Sequence, residues 1–117
     1  VLKSEGGQMY SYTFVTDAVS GILYTILLGN PGQAYNVADE KSDIALKDLA
    51  GYLADIAGTQ VVFQLPDDNE SRGYSTATKA MLDASRLCSL GWKPQVHMEE
   101  GLQCTVEAFA EKKNELN

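Results

Sequence analysis

Residues 12–29, YTFVTDAVSGILYTILLG, change from one periodicity to another partway along. Tyr10, Tyr12, Phe14 and Val15 are β-formers in weak alternation, so residues 9–15 are expected as a strand. From Ala18 onward the apolar residues return at three-and-four spacing through Val19, Ile22, Leu23, Ile26 and Leu27, which predicts a helix with one buried stripe. Thr16 or Asp17 can cap it. Gly29 suits a left-handed C-cap and Pro31 forbids continuation. Whether this junction opens a protein or lies inside a longer one bears on what the chain does. Val1, standing where a native start supplies Met, hints at truncation or processing.

Outward from that junction, residues 34–37 read as a short strand. Leu46, Leu49, Ala50, Leu53, Ile56 and Ala57 form the stripe of a second helix ending at Gly58. Its N-cap is open between Ser42 or Asp43, which have the side chains for it, and Ala45, where the stripe begins. TQVVFQL at 59–65 predicts a strand, and PDDNESRGYS after it a polar loop. Asp83 can cap a short helix running to Leu90, and Gly91 stops it before Trp92, which is expected as a packing anchor. Met98, Leu102, Val106 and Phe109 mark one side of a last helix. The expected order is β-α-β-α-β-α-α, an α/β domain whose strands can pair in parallel.

The chain has 117 residues, 44% apolar and 21% charged, enough for one folded domain, 1–117, with a small core. Its net charge of -7 repels phosphate backbones and anionic lipid, which argues against nucleic-acid and membrane partners. No apolar run reaches the ~20 residues of a membrane span, and VLKSEGGQMY lacks the layout of a signal peptide, so the chain reads as cytoplasmic. Cys88 and Cys104 fall at apolar helix positions and read as reduced core thiols, with a disulfide or reactive thiol as the alternative. With one histidine, His97, and no CxxC, no zinc site follows from spacing. The NES string at 69–71 matches a glycosylation sequon, which in a cytoplasmic chain is chance.

The chemistry is marked first by absences. No GxGxxG, no phosphate-binding GxxxxGK[ST] and no GxSxG occurs, and His97 has no evident serine or cysteine partner. Asp67, Asp68 and Glu70 sit in one hydrophilic loop and read as solvated surface rather than an acid-base pair. Arg72 is the charge of most interest. Beside Gly73, in a chain short of cations, its guanidinium can clasp a phosphate bidentately or simply pair with a surface carboxylate. Tyr10, Tyr12 and Phe14 share a strand face by period two, mostly as core, with room for one to meet a ligand.

Three segments together carry a resemblance. GGQMYSYTFVTDAVSGIL at 6–23 resembles the G-x-Q-x-R-x-F/Y-x-Y/F-V-x-D-x-V segment of extended short-chain dehydrogenases, the NAD-dependent epimerase/dehydratase family acting on nucleotide sugars. GQAYNVADEKSDIALKDLAGYLADIAG at 32–58 is similar to that family's G-x-x-Y-N segment and the helix after it. LDASRLCSLGWKPQVHMEEGLQCTVEAF at 82–109 resembles its C-terminal D-x-S-K, L-G-W-x-P and E-E-G-L-x-x-T signature. In family order over nearly the whole chain, they imply the C-terminal, substrate-binding third of a longer enzyme.

The resemblance implies that an N-terminal Rossmann domain, absent here, holds NAD and supplies a Tyr-x-x-x-Lys pair. Tyr74 and Lys79, five apart, are not that pair. It also implies a UDP- or dTDP-sugar as ligand, with Gln8 at the pocket edge and Arg72 on the diphosphate. Tyr10 stands where the family often has a diphosphate-binding Arg, a departure that places that contact in doubt. Asp17 matches the motif and is read as capping its helix. No residue of this chain is expected to be catalytic or to hold a cofactor. The second reading is a stand-alone binding or oligomerisation module, whose bare apolar face would favour self-association. An unrelated acidic carrier rests on net charge alone.

Overall fold

β1 (Met9–Ser11) lies at the centre of a three-stranded sheet, antiparallel to β2 (Asp43–Ala45) on one edge and parallel to β3 (Lys79–Ala80) on the other. Tyr10 is paired with Ile44 and Ala80. The structure is a computed structural model and describes residues 1–67 and 77–115, with side chains to residue 111. Strands of two or three residues cannot stand alone, so the helices supply the cohesion: α1 (Val15–Leu28), α2 (Leu46–Ile56), α3 (Ser85–Cys88) and α4 (Met98–Glu115). The α/β class is as expected, but the sheet is mixed.

The strands differ most from expectation. Phe14 is already the N-cap of α1, so β1 stops at Ser11 rather than Val15. Residues 34–37 form no strand; Val37 instead packs on α1, and its carbonyl accepts from the Thr13 hydroxyl at 3.5 Å. Residues 59–65 contribute a single parallel bridge, Leu2 to Phe63, leaving Val62, Phe63 and Leu65 more than half exposed. Without a neighbouring strand, their β-forming side chains have no pleated surface to cover.

The face of α1 is also reversed. Asp17 and Gly21 are its buried residues, whereas Val15, Val19, Ile22, Leu23, Ile26, Leu27 and Leu28 are 51–77% exposed. The inward line is small because the backbone comes close to its neighbours. A Cβ on Gly21 would stand 2.9 Å from Val37 Cγ1 and 3.2 Å from Leu87 Cδ2. Gly21→Ala is therefore expected to lower stability by about 1–2 kcal/mol in urea titration, overpacking outweighing the helical preference for alanine. A gain in stability would mean that α1 does not press on Val37. At the C-terminus Gly29 is extended (φ -69°), not left-handed, and its amide simply bonds Thr25 O.

The core lies where α1, α3 and the turn after α3 meet. Ala38, Ala84, Leu87 and Trp92 are buried there, with Tyr24, Tyr35, Val37 and Leu90 packed around them. Trp92 is 1% exposed and donates its Nε1–H to Ser20 Oγ at 2.9 Å. Ala45, with no side-chain cap bond, proves to be the N-cap of α2, and Gly58 follows its end at φ +62°. The N-cap of α3 is Ala84, with no side-chain cap bond, rather than Asp83, which stands one residue earlier and accepts from the Ser85 amide at 2.7 Å; the helix ends at Cys88 rather than Leu90. Cys88 and Cys104 are exposed and unpaired, which corrects their reading as core thiols. α4 packs on α2, with Gly101 against the Phe14 ring and Leu102 and Val106 half-buried. Phe109, expected on the buried side, is 72% exposed.

Candidate functional site

The backbone around Gln8 is held on two sides. Gln8 O accepts from the Leu46 amide at 2.9 Å at the start of α2, and the next amide, Met9, donates to Thr78 O at 3.0 Å. The side chain is not held in the same way. Gln8 Oε1 is buried and has no hydrogen-bond partner among the described residues. A buried acceptor left unmade costs about 1–3 kcal/mol, so such an atom calls for a reason, and a ligand donor is one. Tyr10, two residues on, lies half-buried on the same side of β1 by strand alternation. Its ring stands edge-on to Tyr12, with centroids 6.2 Å apart. Burial, then the neighbouring Tyr10, pushes the Tyr12 phenol above its usual value.

Gln8, immediately before the central strand, and Tyr10, within it, therefore lie close together. Arg72, with Asp68, Glu70, Tyr74 and the 69–71 sequon, lies outside the described residues. Thr78, six residues beyond Arg72, is tied to β1 next to Gln8.

A second polar cluster joins Asp39 and Ser42, from the segment leading into β2, to His97 just before α4. The Asp39 carboxylate is 2% exposed and accepts from Ser42 Oγ at 2.6 Å, from the Lys41 amide at 3.0 Å, and from His97 Nδ1 at 2.7 Å. This is not a nucleophile relay, because the Ser42 hydroxyl donates to Asp39 rather than to the imidazole. Burial raises the Asp39 carboxyl, but the Ser42 hydroxyl, His97 and the Lys41 amide together outweigh it and hold the group below its ordinary value. Fifty-eight residues separate Asp39 from His97, and no motif links them. The one available signal was the lone histidine in an acidic chain. Among the described residues no cluster can hold a metal ion.

A carboxyl held below its unfolded value of about 3.9 adds stability that is fully present above that pH and is lost as pH falls through the folded value. Stability should accordingly drop below about pH 4. Asp39→Asn should flatten, though not remove, that slope, since Asp83 is also lowered by its bonds to Ser85. Urea midpoints measured from pH 3 to pH 7 would check this, and an unchanged slope in the variant would take Asp39 out of the account.

Asp17 does not cap α1. Its Oδ2 accepts from the Gln95 and Val96 amides at 2.9 and 2.8 Å, so it holds the segment leading to His97 and α4.

No family model matches the chain. Among curated proteins it is 28% identical over 111 residues to the dTDP-D-glucose 4,6-dehydratase of Mus musculus, covering 92% of this chain and 31% of that one. The human protein of the same name is 26% identical over 118 residues. The chain spans about a third of the length of the curated relatives it matches. Among solved structures, dTDP-glucose 4,6-dehydratase from Bacillus anthracis in complex with NAD superposes over 97% of this chain and 34% of its own, with TM-score 0.82 and 18% identity. UDP-glucose 4-epimerase from Thermotoga maritima with UDP-glucose covers 96% of this chain and 34% of its own, with TM-score 0.79 and 26% identity. The relatives and structural neighbours of this chain are members of the epimerase/dehydratase family that its sequence resembles.

Proposed function

We propose that residues 1–117 are the nucleotide-sugar-binding lobe of an NAD-dependent epimerase or dehydratase, corresponding to its C-terminal third. The observation that carries this reading is coverage: proteins named for dTDP-glucose or UDP-glucose match 92–97% of the chain while extending about three times as far. The Gln8 acceptor, unpaired among the described residues, fits it, since a nucleotide-sugar offers hydroxyl and base N–H donors. The lobe would orient the sugar and exclude water, while hydride chemistry belongs to the NAD of the remaining two thirds. The apolar face of α1, bare in this chain, is where that cofactor domain would rest.

Titration calorimetry with UDP-glucose and dTDP-glucose tests the reading. Weak binding without turnover is expected of this chain. Arg72→Ala should weaken it by about 1.5–3 kcal/mol if the guanidinium holds the diphosphate by charge-assisted bonds, with Gln8→Leu losing less. Equal affinity of wild type and Arg72→Ala would remove Arg72 from the site.

The exposed α1 face also favours a second reading, a binding module that self-associates. Tyr10 in place of the family arginine points the same way, since it removes one phosphate contact. Light scattering separates the two: a clean monomer would argue against an α1-mediated assembly.

A further inference from the structure

Between the end of β1, α2 and the first turns of α4 lies a cavity of about 210 Å³, larger than the ~150 Å³ apolar cavity that takes a benzene. Its walls are mostly apolar, with Phe14, Leu49, Leu53, Met98 and Leu102 among them, and His97 and Ser42 also line it. Ser42 is committed to Asp39. His97 is different, because among the described residues one of its nitrogens, Nδ1, has a partner.

An ionised carboxylate accepts and cannot donate, so the proton between His97 and Asp39 sits on Nδ1. In the neutral ring Nε2 is then an acceptor, and it has no partner among the described residues. Two features set the sign of what it would meet. Lys41, Asp43, Glu99 and Glu100 border the adjoining hollow, an excess of negative charge that disfavours a carboxylate or phosphate. The apolar walls disfavour a buried cation, whose natural counter-ion, Asp39, already has three donors. A neutral molecule with an aromatic or branched apolar body and one hydroxyl satisfies both.

We propose that this cavity is a binding site, separate from the Gln8 strand face, for a small neutral phenol- or alcohol-type ligand whose hydroxyl donates to His97 Nε2. Asp39 fixes the imidazole in the accepting tautomer, and the walls take the apolar body.

Phenol and toluene, nearly equal in size, are the probes, titrated into the full chain at neutral pH while backbone amide resonances are followed. Phenol should shift Thr13, Phe14, His97, Gly101 and Leu102, saturate in the millimolar range, and bind at least fivefold tighter than toluene. His97→Phe should abolish that preference while toluene still binds. Equal affinity of the two probes for the wild type would overturn the hydroxyl contact without recourse to any variant. Shifts confined to the Gln8 strand face or to the outer face of α1, or no saturation by either probe, would overturn the site. Shifts around Gln8 on adding UDP-glucose, unaltered by phenol, would confirm that the two sites are separate.

Discussion

Trp92→Ala should cost about 3–5 kcal/mol, a large part of the 5–15 kcal/mol that a domain commonly has. The reason is concentration. Among the described residues the contiguous buried cluster has four members, and the other three are two alanines and Leu87. Removing the indole would leave Leu87, now fully buried, facing a void, and would free Ser20 from its bond to Nε1. Trp92→Phe keeps most of the apolar volume and loses that hydrogen bond, so about 1–2 kcal/mol is expected. Urea unfolding followed by circular dichroism is the appropriate measurement, because Trp92 is the only tryptophan and its fluorescence disappears with it. A loss below about 1 kcal/mol in the alanine variant would mean that the α1–α3 junction is not what holds the fold.

Local periodicity located the helices well and their environment poorly. The stripe on α1 is real, yet spacing says only that one face is apolar, not which surface lies against this chain's own core. Here that surface is the line of Asp17, Ser20, Gly21 and Tyr24, chosen by close approach to Val37 and by the Trp92–Ser20 bond. Strand signals failed in both directions. VVF at 61–63 has strong β-formers but, among the described residues, only one bridging residue opposite, while the paired DIA and KA segments become strands through Tyr10 between them. Pairing is a property of two segments, so neither is legible alone.

The site was legible to a similar degree. Gln8 and Tyr10 could be named only because a whole stretch resembled a family, and the free acceptor on Gln8 is visible only in three dimensions. His97 and Asp39 carry no mutual signal in the sequence and meet because residues 95–96 are fastened to α1.

That fastening makes Asp17→Ala the other large expected effect, roughly 3–5 kcal/mol. Asp17 is 3% exposed, and one of its oxygens takes both the Gln95 and the Val96 amides across 78 and 79 residues of sequence. Truncation leaves two backbone donors without an acceptor and removes a buried charge that they stabilise. A helix cap would behave otherwise: losing it costs about 1 kcal/mol and frays only the first turn. Asp17→Asn retains an oxygen of the same reach without the charge, so about half the alanine loss is expected. Amide exchange locates the damage. Gln95 and Val96 should exchange faster in the alanine variant, and His97 should lose its fixed distance to Asp39, while amides in the middle of α2 open only with global unfolding. If instead the Ala18 and Val19 amides accelerate and those of Gln95 and Val96 stay protected, Asp17 is acting as the cap its position in the sequence suggested, and residues 95–96 are held by the packing of Trp92 and α4.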